Sequence, residues 1–122
     1  MTKIMIVDDD KEATDLLENL LKLEGYTAVS VNDSTKATQI ADSENPDIFL
    51  IDLMMPEIDG FKLCRLLRAE RKFAHTPVII LTALSDADSR AVAYGAGATD
   101  YLTKPYHPNE LKSIIRDLIN KS

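Results

Sequence analysis

Residues 48–60 read IFLIDLMMPEIDG, and this stretch decides the fold. It opens with four consecutive apolar residues and continues with a carboxylate, Asp52. A short apolar run without polar alternation is typical of a strand that is buried on both faces, as in a parallel sheet. Two other runs, residues 4–7 and 78–81, have the same character, and each is followed by a polar residue. The sequence therefore predicts a parallel sheet with polar residues at the carboxyl ends of its strands.

Apolar residues at helical spacing predict helices between these runs. The helices are predicted over residues 13–23, 34–43, 61–67, 86–95 and 111–119. Weaker strand patterns lie at residues 26–31 and 99–103. Strand and helix therefore alternate five times, which implies parallel pairing with right-handed crossovers. The predicted fold class is α/β, a doubly wound five-stranded parallel sheet with helices on both faces.

The composition is that of one globular domain. The chain has 122 residues, of which 45% are apolar and 28% are charged, and we expect residues 1–122 to form a single domain without an output domain. The net charge of −6 argues against a nucleic-acid or anionic-membrane surface. No apolar run reaches the ~18 residues of a transmembrane helix, and the first run is too short for a signal peptide. We therefore expect a cytoplasmic protein that binds neither nucleic acid nor membrane directly.

Functional residues are expected at the carboxyl ends of the strands, because ligands bind there in doubly wound sheets. Asp8 and Asp9 follow the first strand, Asp52 follows the third, Thr82 the fourth and Lys104 the fifth. Carboxylates held close together repel one another, and a hard divalent cation such as Mg²⁺ would neutralise them. A carboxylate beside such an ion can accept a phosphoryl group, whose oxygens an ammonium and a hydroxyl would contact. A lone Thr82 is more often a structural cap and a lone Lys104 is usually solvated, but their convergence favours a functional site.

Five motifs agree in order and spacing with a known family. They are Val7-Asp8-Asp9, Asp52-Leu53-Met54-Met55-Pro56 followed by Asp59-Gly60, Leu81-Thr82-Ala83, Gly97-Ala98 with Asp100-Tyr101-Leu102, and Lys104-Pro105. With these motifs the chain resembles the receiver domain of two-component response regulators over residues 4–119. The resemblance implies a flavodoxin-like (βα)5 fold, as in the chemotaxis regulators, with the strand order 2-1-3-4-5.

The resemblance also implies a role for each strand-end residue. Asp52 would be the phosphoacceptor, and Lys104 would contact the phosphoryl group. Mg²⁺ would be bound directly by Asp9 and through water by Asp8. Asp52 and the backbone carbonyl of Met54 would complete the set of protein ligands.

A conformational switch is implied as well. Thr82 would move to hydrogen-bond the phosphoryl group, and Tyr101 would swing inward as Thr82 moves. The surface formed by the fourth helix, the fifth strand and the last helix would then change. Phosphorylation adds about −1.5 to −2 charge and strong acceptor oxygens, and it shifts the equilibrium through its differential affinity for the two states. The family often has a cis peptide bond at the position of Lys104–Pro105, and only an X-Pro bond makes that conformation inexpensive.

The partners that the resemblance implies are those of a signalling relay. The phosphoryl donor would be a histidine kinase or a phosphotransfer protein, and an effector domain or protein would act downstream. A phosphorylation-dependent dimer is compatible with the same switch. The domain would not be an enzyme in the ordinary sense, because it would catalyse only phosphoryl transfer to its own Asp52 and hydrolysis there.

Three alternatives belong to other functional classes. A phosphatase of the haloacid dehalogenase type also uses a strand-end aspartate and Mg²⁺, but the Gly and Thr of its motif are missing after Asp8-Asp9-Asp10. A flavodoxin-like cofactor binder needs a Ser/Thr/Gly-rich phosphate loop where this chain has the aspartates. A receiver-fold interaction module that signals without phosphorylation is the third alternative. Because the sequence retains every phosphorylation residue, this alternative requires a loss of function despite intact chemistry.

Three further predictions concern residues outside this edge. Cys64 is predicted to lie in the core, and because it is the single cysteine it excludes an internal disulfide. Lys62, Arg65 and Arg68 are predicted to form the solvated face of the third helix. His75 is predicted to be a loop residue without a role in phosphoryl transfer.

Overall fold

The computed structural model describes residues 1–121. The strands are β1 (Lys3–Val7), β2 (Thr27–Val31), β3 (Ile48–Ile51), β4 (Val78–Thr82) and β5 (Asp100–Thr103). The helices are α1 (Lys11–Leu23), α2 (Ala37–Glu44), α3 (Gly60–Ala69), α4 (Ala87–Gly95) and α5 (Pro108–Asn120). All strands pair in parallel in the order β2-β1-β3-β4-β5. The predicted fold class and strand order are confirmed.

Side chains of the strands alternate between two cores, one on each face of the sheet. On one face Met5 and Phe49 pack with residues of α2, α3 and α4. On the other face Ile4 and Leu50 pack with residues of α1 and α5. The central strands β1, β3 and β4 are covered on both faces and are almost wholly buried, which explains their unbroken apolar runs. The edge strands β2 and β5 contain partly exposed residues, and their sequence patterns are weaker for that reason.

Aspartates begin four of the helical segments. Asp10, Asp59 and Asp86 accept hydrogen bonds from backbone amides in the first turns of α1, α3 and α4. Asp33 caps its segment in the same way, but a 3-10 turn (Ser34–Lys36) precedes α2. The region predicted as one helix therefore begins with a tighter turn. These caps satisfy amide groups that have no partner within a helix, and they fix where each helix leaves the carboxyl edge of the sheet.

The prediction that Arg68 lies on a solvated face of α3 is wrong. Its guanidinium donates hydrogen bonds to the carbonyl oxygens of Phe73, Thr76 and Gly97, at 2.8, 2.5 and 2.9 Å. Helical spacing locates the backbone of a residue, but a long arginine side chain reaches groups beyond the end of its helix. Arg68 therefore ties the end of α3 to the segments that precede β4 and β5.

The predicted locations of the remaining residues in this region are confirmed. Cys64 is buried, and Lys62 and Arg65 are exposed on α3. His75 is exposed in the connection between α3 and β4. No helix within residues 1–121 is long and apolar enough to cross a membrane.

Candidate functional site

The sheet topology brings three carboxylates together. Because β1 and β3 are neighbours in the sheet, the segments that follow them leave the same edge side by side. Asp8 and Asp9 follow β1, Asp52 follows β3, and one carboxylate oxygen of each lies within 4.8 Å of the others. Asp8 is buried, Asp52 is half-buried and Asp9 is exposed. The predicted convergence of these three side chains is observed.

Lys104 reaches the same cluster from β5. Its Nζ atom lies 3.0 Å from Oδ2 of Asp8 and 3.8 Å from Oδ2 of Asp52. The backbone places it there, because the Lys104 N–H donates to the carbonyl of Thr82 at 2.8 Å. The following peptide bond, to Pro105, is cis as predicted. One ammonium offsets only part of the repulsion among three carboxylates, so the cluster can still accept a cation.

The half-buried position of Asp52 changes its acidity. Burial raises the pKa of Asp52 above its ordinary value of 3.8, Lys104 opposes this shift, and the charge of Asp8 adds to it. The carboxylate also accepts a weak hydrogen bond from the Met54 N–H at 3.4 Å. A nearby cation would stabilise the charged form of this carboxylate, which burial destabilises. The donor set of carboxylate oxygens fits Mg²⁺, which prefers hard oxygen ligands.

Thr82 and Tyr101 meet at the segment between β4 and α4. Thr82 ends β4 and is fully buried, and its Oγ1 accepts a hydrogen bond from the Leu84 N–H at 3.4 Å. The Tyr101 hydroxyl donates to the Leu84 carbonyl at 2.6 Å, and the side chain is only 4% exposed. Tyr101 therefore points inward, and both residues contact the backbone of the same residue.

Arg90 of α4 covers the Tyr101 ring, a contact that the sequence does not predict. The guanidinium carbon lies 4.6 Å from the ring centroid, within the range of a cation–π interaction. The same guanidinium donates to Oγ1 of Thr103 at 3.1 Å. No sequence signal distinguishes Arg90 from other polar residues of a surface helix, because its role depends on the distance between α4 and β5.

Asn32 is a second residue of the site that lies outside the predicted set. It follows β2, and its Nδ2 donates to the Asp8 carbonyl at 2.8 Å and to Oγ1 of Thr14 at 3.0 Å. The strand-end rule could have found Asn32, because β2 ends at the same edge of the sheet as β1. The predicted strand over residues 26–31 ends where β2 ends, but Asn32 was not among the strand-end residues predicted to be functional.

The family model of the response regulator receiver domain matches residues 4–116. The chain belongs to this family. The receiver domain superposes on that of the Francisella response regulator 1452 with a TM-score of 0.91 and 31% identity, covering 99% of this chain and 98% of the other. It is similar to the receiver domain of the sensor histidine kinase PA1611 from Pseudomonas aeruginosa PAO1, solved with a magnesium ion coordinated in the active site cleft. That similarity has a TM-score of 0.89 and 31% identity over 98% of both chains.

Curated relatives of this receiver domain are longer proteins. The chain is 39% identical to the transcriptional regulatory protein CpxR of Escherichia coli (strain K12), over 100% of its own length and 51% of CpxR. It spans about half the length of the curated relatives it matches. The family that matches is the receiver family, and not the haloacid dehalogenase or flavodoxin family of the first two alternatives. An interaction module that acts without phosphorylation is a receiver too, so that alternative stays open.

Proposed function

We propose that this receiver domain accepts a phosphoryl group on Asp52 and requires Mg²⁺ to do so. The supporting observation is that carboxylate oxygens of Asp8, Asp9 and Asp52 lie within 4.8 Å of one another. In this proposal Asp9 and Asp52 bind Mg²⁺ directly, and Asp8 binds it through water. The backbone carbonyl of Met54 is a further ligand. The magnesium ion in the cleft of the PA1611 receiver domain supports the choice of metal.

The transfer step is a displacement at phosphorus. An oxygen of Asp52 attacks the phosphorus of a phosphohistidine, a new O–P bond forms, and the P–N bond breaks with its electron pair on the imidazole nitrogen. A cation held by Asp9 and Asp52 would supply positive charge for the phosphoryl oxygens. Lys104 contributes a second positive charge, because its Nζ atom already lies 3.8 Å from Oδ2 of Asp52. Asp8 accepts from the same ammonium and orients it toward the reacting group.

The phosphorylated state is then read through Thr82 and Tyr101. The Thr82 hydroxyl donates to a phosphoryl oxygen, which draws the segment around Leu84 toward the site. Because the Tyr101 hydroxyl donates to the Leu84 carbonyl, this movement and the inward position of Tyr101 favour each other. The surface formed by α4, β5 and α5 changes as a result and presents the signal to an effector.

The proposed partners follow from this chemistry. A histidine kinase or a phosphotransfer protein donates the phosphoryl group, and an effector domain or protein responds to the α4-β5-α5 surface. The greater length of CpxR and its description as a transcriptional regulatory protein support an output unit downstream. A phosphorylation-dependent dimer would use the same surface. The domain acts in the cytoplasm as a signalling element, with no catalysis beyond phosphoryl transfer to Asp52 and its hydrolysis.

Intact mass spectrometry after incubation with acetyl phosphate tests the proposal. The wild type is expected to gain ~80 Da, the mass of one phosphoryl group, only when Mg²⁺ is present. Asp52→Asn is expected to show no gain. Asp88→Asn, which changes an exposed carboxylate at the start of α4, is the matched control and should gain the same mass as the wild type.

The interaction module that acts without phosphorylation predicts a different result. It predicts no mass gain with acetyl phosphate or with a phosphorylated histidine donor, and no binding of Mg²⁺. Bound Mg²⁺ without a gain from acetyl phosphate would instead indicate strict dependence on a kinase. A gain that persists in Asp52→Asn would exclude Asp52 as the phosphoacceptor.

A further inference from the structure

Asp9 differs from its acidic neighbours in how its carboxylate is held. Asp8 is fixed at both carboxylate oxygens, because Oδ2 pairs with Lys104 and Oδ1 accepts from the Asp10 N–H at 3.0 Å. Within residues 1–121, no hydrogen bond or ion pair holds the Asp9 carboxylate. Its direction therefore depends on the backbone, and specifically on the peptide planes that precede and follow Asp9.

A hydrogen bond holds each of these two peptide planes. The plane after Asp9 is held through the Asp10 N–H, which donates to Asp8. The plane before it is held through the Asp8 carbonyl, which accepts from Nδ2 of Asn32 at 2.8 Å. Because a carbonyl oxygen can only accept, the amide nitrogen of Asn32 must face it. The second hydrogen of that nitrogen is donated to Oγ1 of Thr14 at 3.0 Å.

The Asn32 amide is anchored to a rigid part of the molecule. Thr14 is fully buried on α1, and its hydroxyl donates to the Lys11 carbonyl at 3.0 Å. Asn32 itself is exposed, so packing alone does not require an amide at this position. Its nitrogen nevertheless points inward and joins the end of β2, the end of β1 and the first turn of α1.

We propose that Asn32 is a positioning residue for the Mg²⁺ ligand Asp9 and acts through the Asp8 carbonyl. This inference rests on the proposed function, because it requires Mg²⁺ to bind at Asp9. Hydrogen bonds outside the ligand shell orient the ligands of metal sites, and their loss weakens metal binding. Here the orientation passes along the backbone, from the Asn32 amide to the peptide plane that leads into Asp9.

Asn32→Ala removes both N–H donors, and it leaves no buried cavity because the side chain is exposed. The Mg²⁺ dissociation constant, measured by isothermal titration calorimetry, is expected to rise about tenfold, the lower end of the cost of losing an outer hydrogen bond. Ser30→Ala is the matched control. It removes the hydrogen bond from Ser30 Oγ to Oε1 of Glu18 at 2.6 Å, which also joins β2 to α1 but does not touch Asp8. Its dissociation constant should match that of the wild type.

A second readout uses the metal-free protein. Hydrogen exchange at the backbone amide of Asp10, which donates to Oδ1 of Asp8, is expected to be faster in Asn32→Ala than in the wild type. Ser30→Ala should leave this exchange rate unchanged. A general loss of β2–α1 contact would instead affect both variants alike, so this comparison separates positioning from stability.

The two proposals fail in different ways. If the wild type is phosphorylated and Asn32→Ala binds Mg²⁺ within about twofold of it, well below the loss expected for an outer hydrogen bond, the positioning role of Asn32 is overturned and the proposed function stands. If the wild type binds no Mg²⁺, the proposed function falls, and the role of Asn32 falls with it. Weaker Mg²⁺ binding in Asn32→Ala alone, together with faster amide exchange, supports the inference.

Discussion

Asp52 carries a negative charge in a partly buried position, and burial makes the charged form less favourable. Its pKa lies above 3.8, mainly because of burial, so the native state holds a proton on Asp52 more strongly than the unfolded chain does. Linkage fixes the sign of the effect. The charged carboxylate destabilises the native state at pH values above the native pKa, and this penalty disappears as the pH falls below 3.8.

Asp52→Asn is therefore expected to stabilise the metal-free protein near neutral pH. The free energy of unfolding should rise, and this gain should shrink as the pH falls toward 3.8. Urea unfolding with a chelator present, followed by circular dichroism over a pH series, measures the difference in the free energy of unfolding between Asp52→Asn and the wild type. Asp88→Asn controls for the loss of one negative charge, because Asp88 is exposed. A less stable Asp52→Asn at neutral pH would contradict the expectation.

At the residue scale, the sequence predicts those site residues that the topology alone brings together. Asp8 and Asp52 could be predicted because the carboxyl ends of neighbouring parallel strands meet at one edge. The strand-end rule gives the position of Asn32 at the same edge, but not its role, because that role depends on one amide nitrogen facing a backbone carbonyl. The prediction of a solvated Arg68 is wrong because the side chain extends beyond the end of α3 to backbone carbonyl groups. Helical spacing does not show how far a long side chain reaches.

At the element scale, Arg90 connects α4 to β5 through its contacts with Tyr101 and Thr103. Arg90→Met retains a long side chain but removes the charge and the donor. The ratio of inward to outward Tyr101 is expected to fall about two- to fivefold, because an exposed cation–π contact contributes about 0.5–1 kcal/mol. Fluorotyrosine NMR, with the Tyr101 signal assigned by Tyr101→Phe, measures this ratio.

Arg116→Met provides the control for this experiment at the element scale. Arg116 is exposed on α5, so its loss changes the net charge of the domain equally without touching the ring. If both variants leave the Tyr101 signal at its wild-type position, Arg90 does not hold the ring inward. If only Arg90→Met shifts it, α4 contributes to holding Tyr101 in the inward position.

The bounds of helices and strands could be predicted only where burial leaves a clear sequence pattern. The bounds of β3 could be predicted because the strand is buried on both faces, which leaves an unbroken apolar run. The start of β2 could not, because four of its five residues are only partly buried and the alternation is blurred. The 3-10 turn before α2 escaped prediction because Asp33 caps a 3-10 turn and an α-helix with the same side-chain contact.

At the scale of the whole molecule, the two edges of the sheet are stabilised by different means. The carboxyl edge holds the carboxylate cluster, where binding of Mg²⁺ to the native state alone would add stability. The amino edge holds Arg68, which joins the segments before β4 and β5. A strand of five residues such as β4 separates the edges, a distance of about 15 Å. Sites this far apart without shared partners contribute additively to stability.

This separation leads to a prediction about Arg68→Ala. The substitution should lower the free energy of unfolding by about 2–3 kcal/mol, because the carbonyl oxygens of Thr76 and Gly97 lose the Arg68 donor and that of Phe73 keeps only the Thr76 N–H at 3.4 Å. Arg65→Ala, on the exposed face of the same helix, should change it by less than about 0.5 kcal/mol.

Saturating Mg²⁺ should stabilise the wild type and Arg68→Ala equally, by about 2.7 kcal/mol at a concentration one hundred times the dissociation constant. Urea unfolding of both proteins with and without Mg²⁺ measures the two increments. Equal increments mean that the amino edge supports the fold without adjusting the metal site. If Mg²⁺ no longer stabilises Arg68→Ala, the hydrogen bonds of Arg68 at the amino edge also set the geometry of the carboxylates. The strands between the two edges would then transmit the structural change.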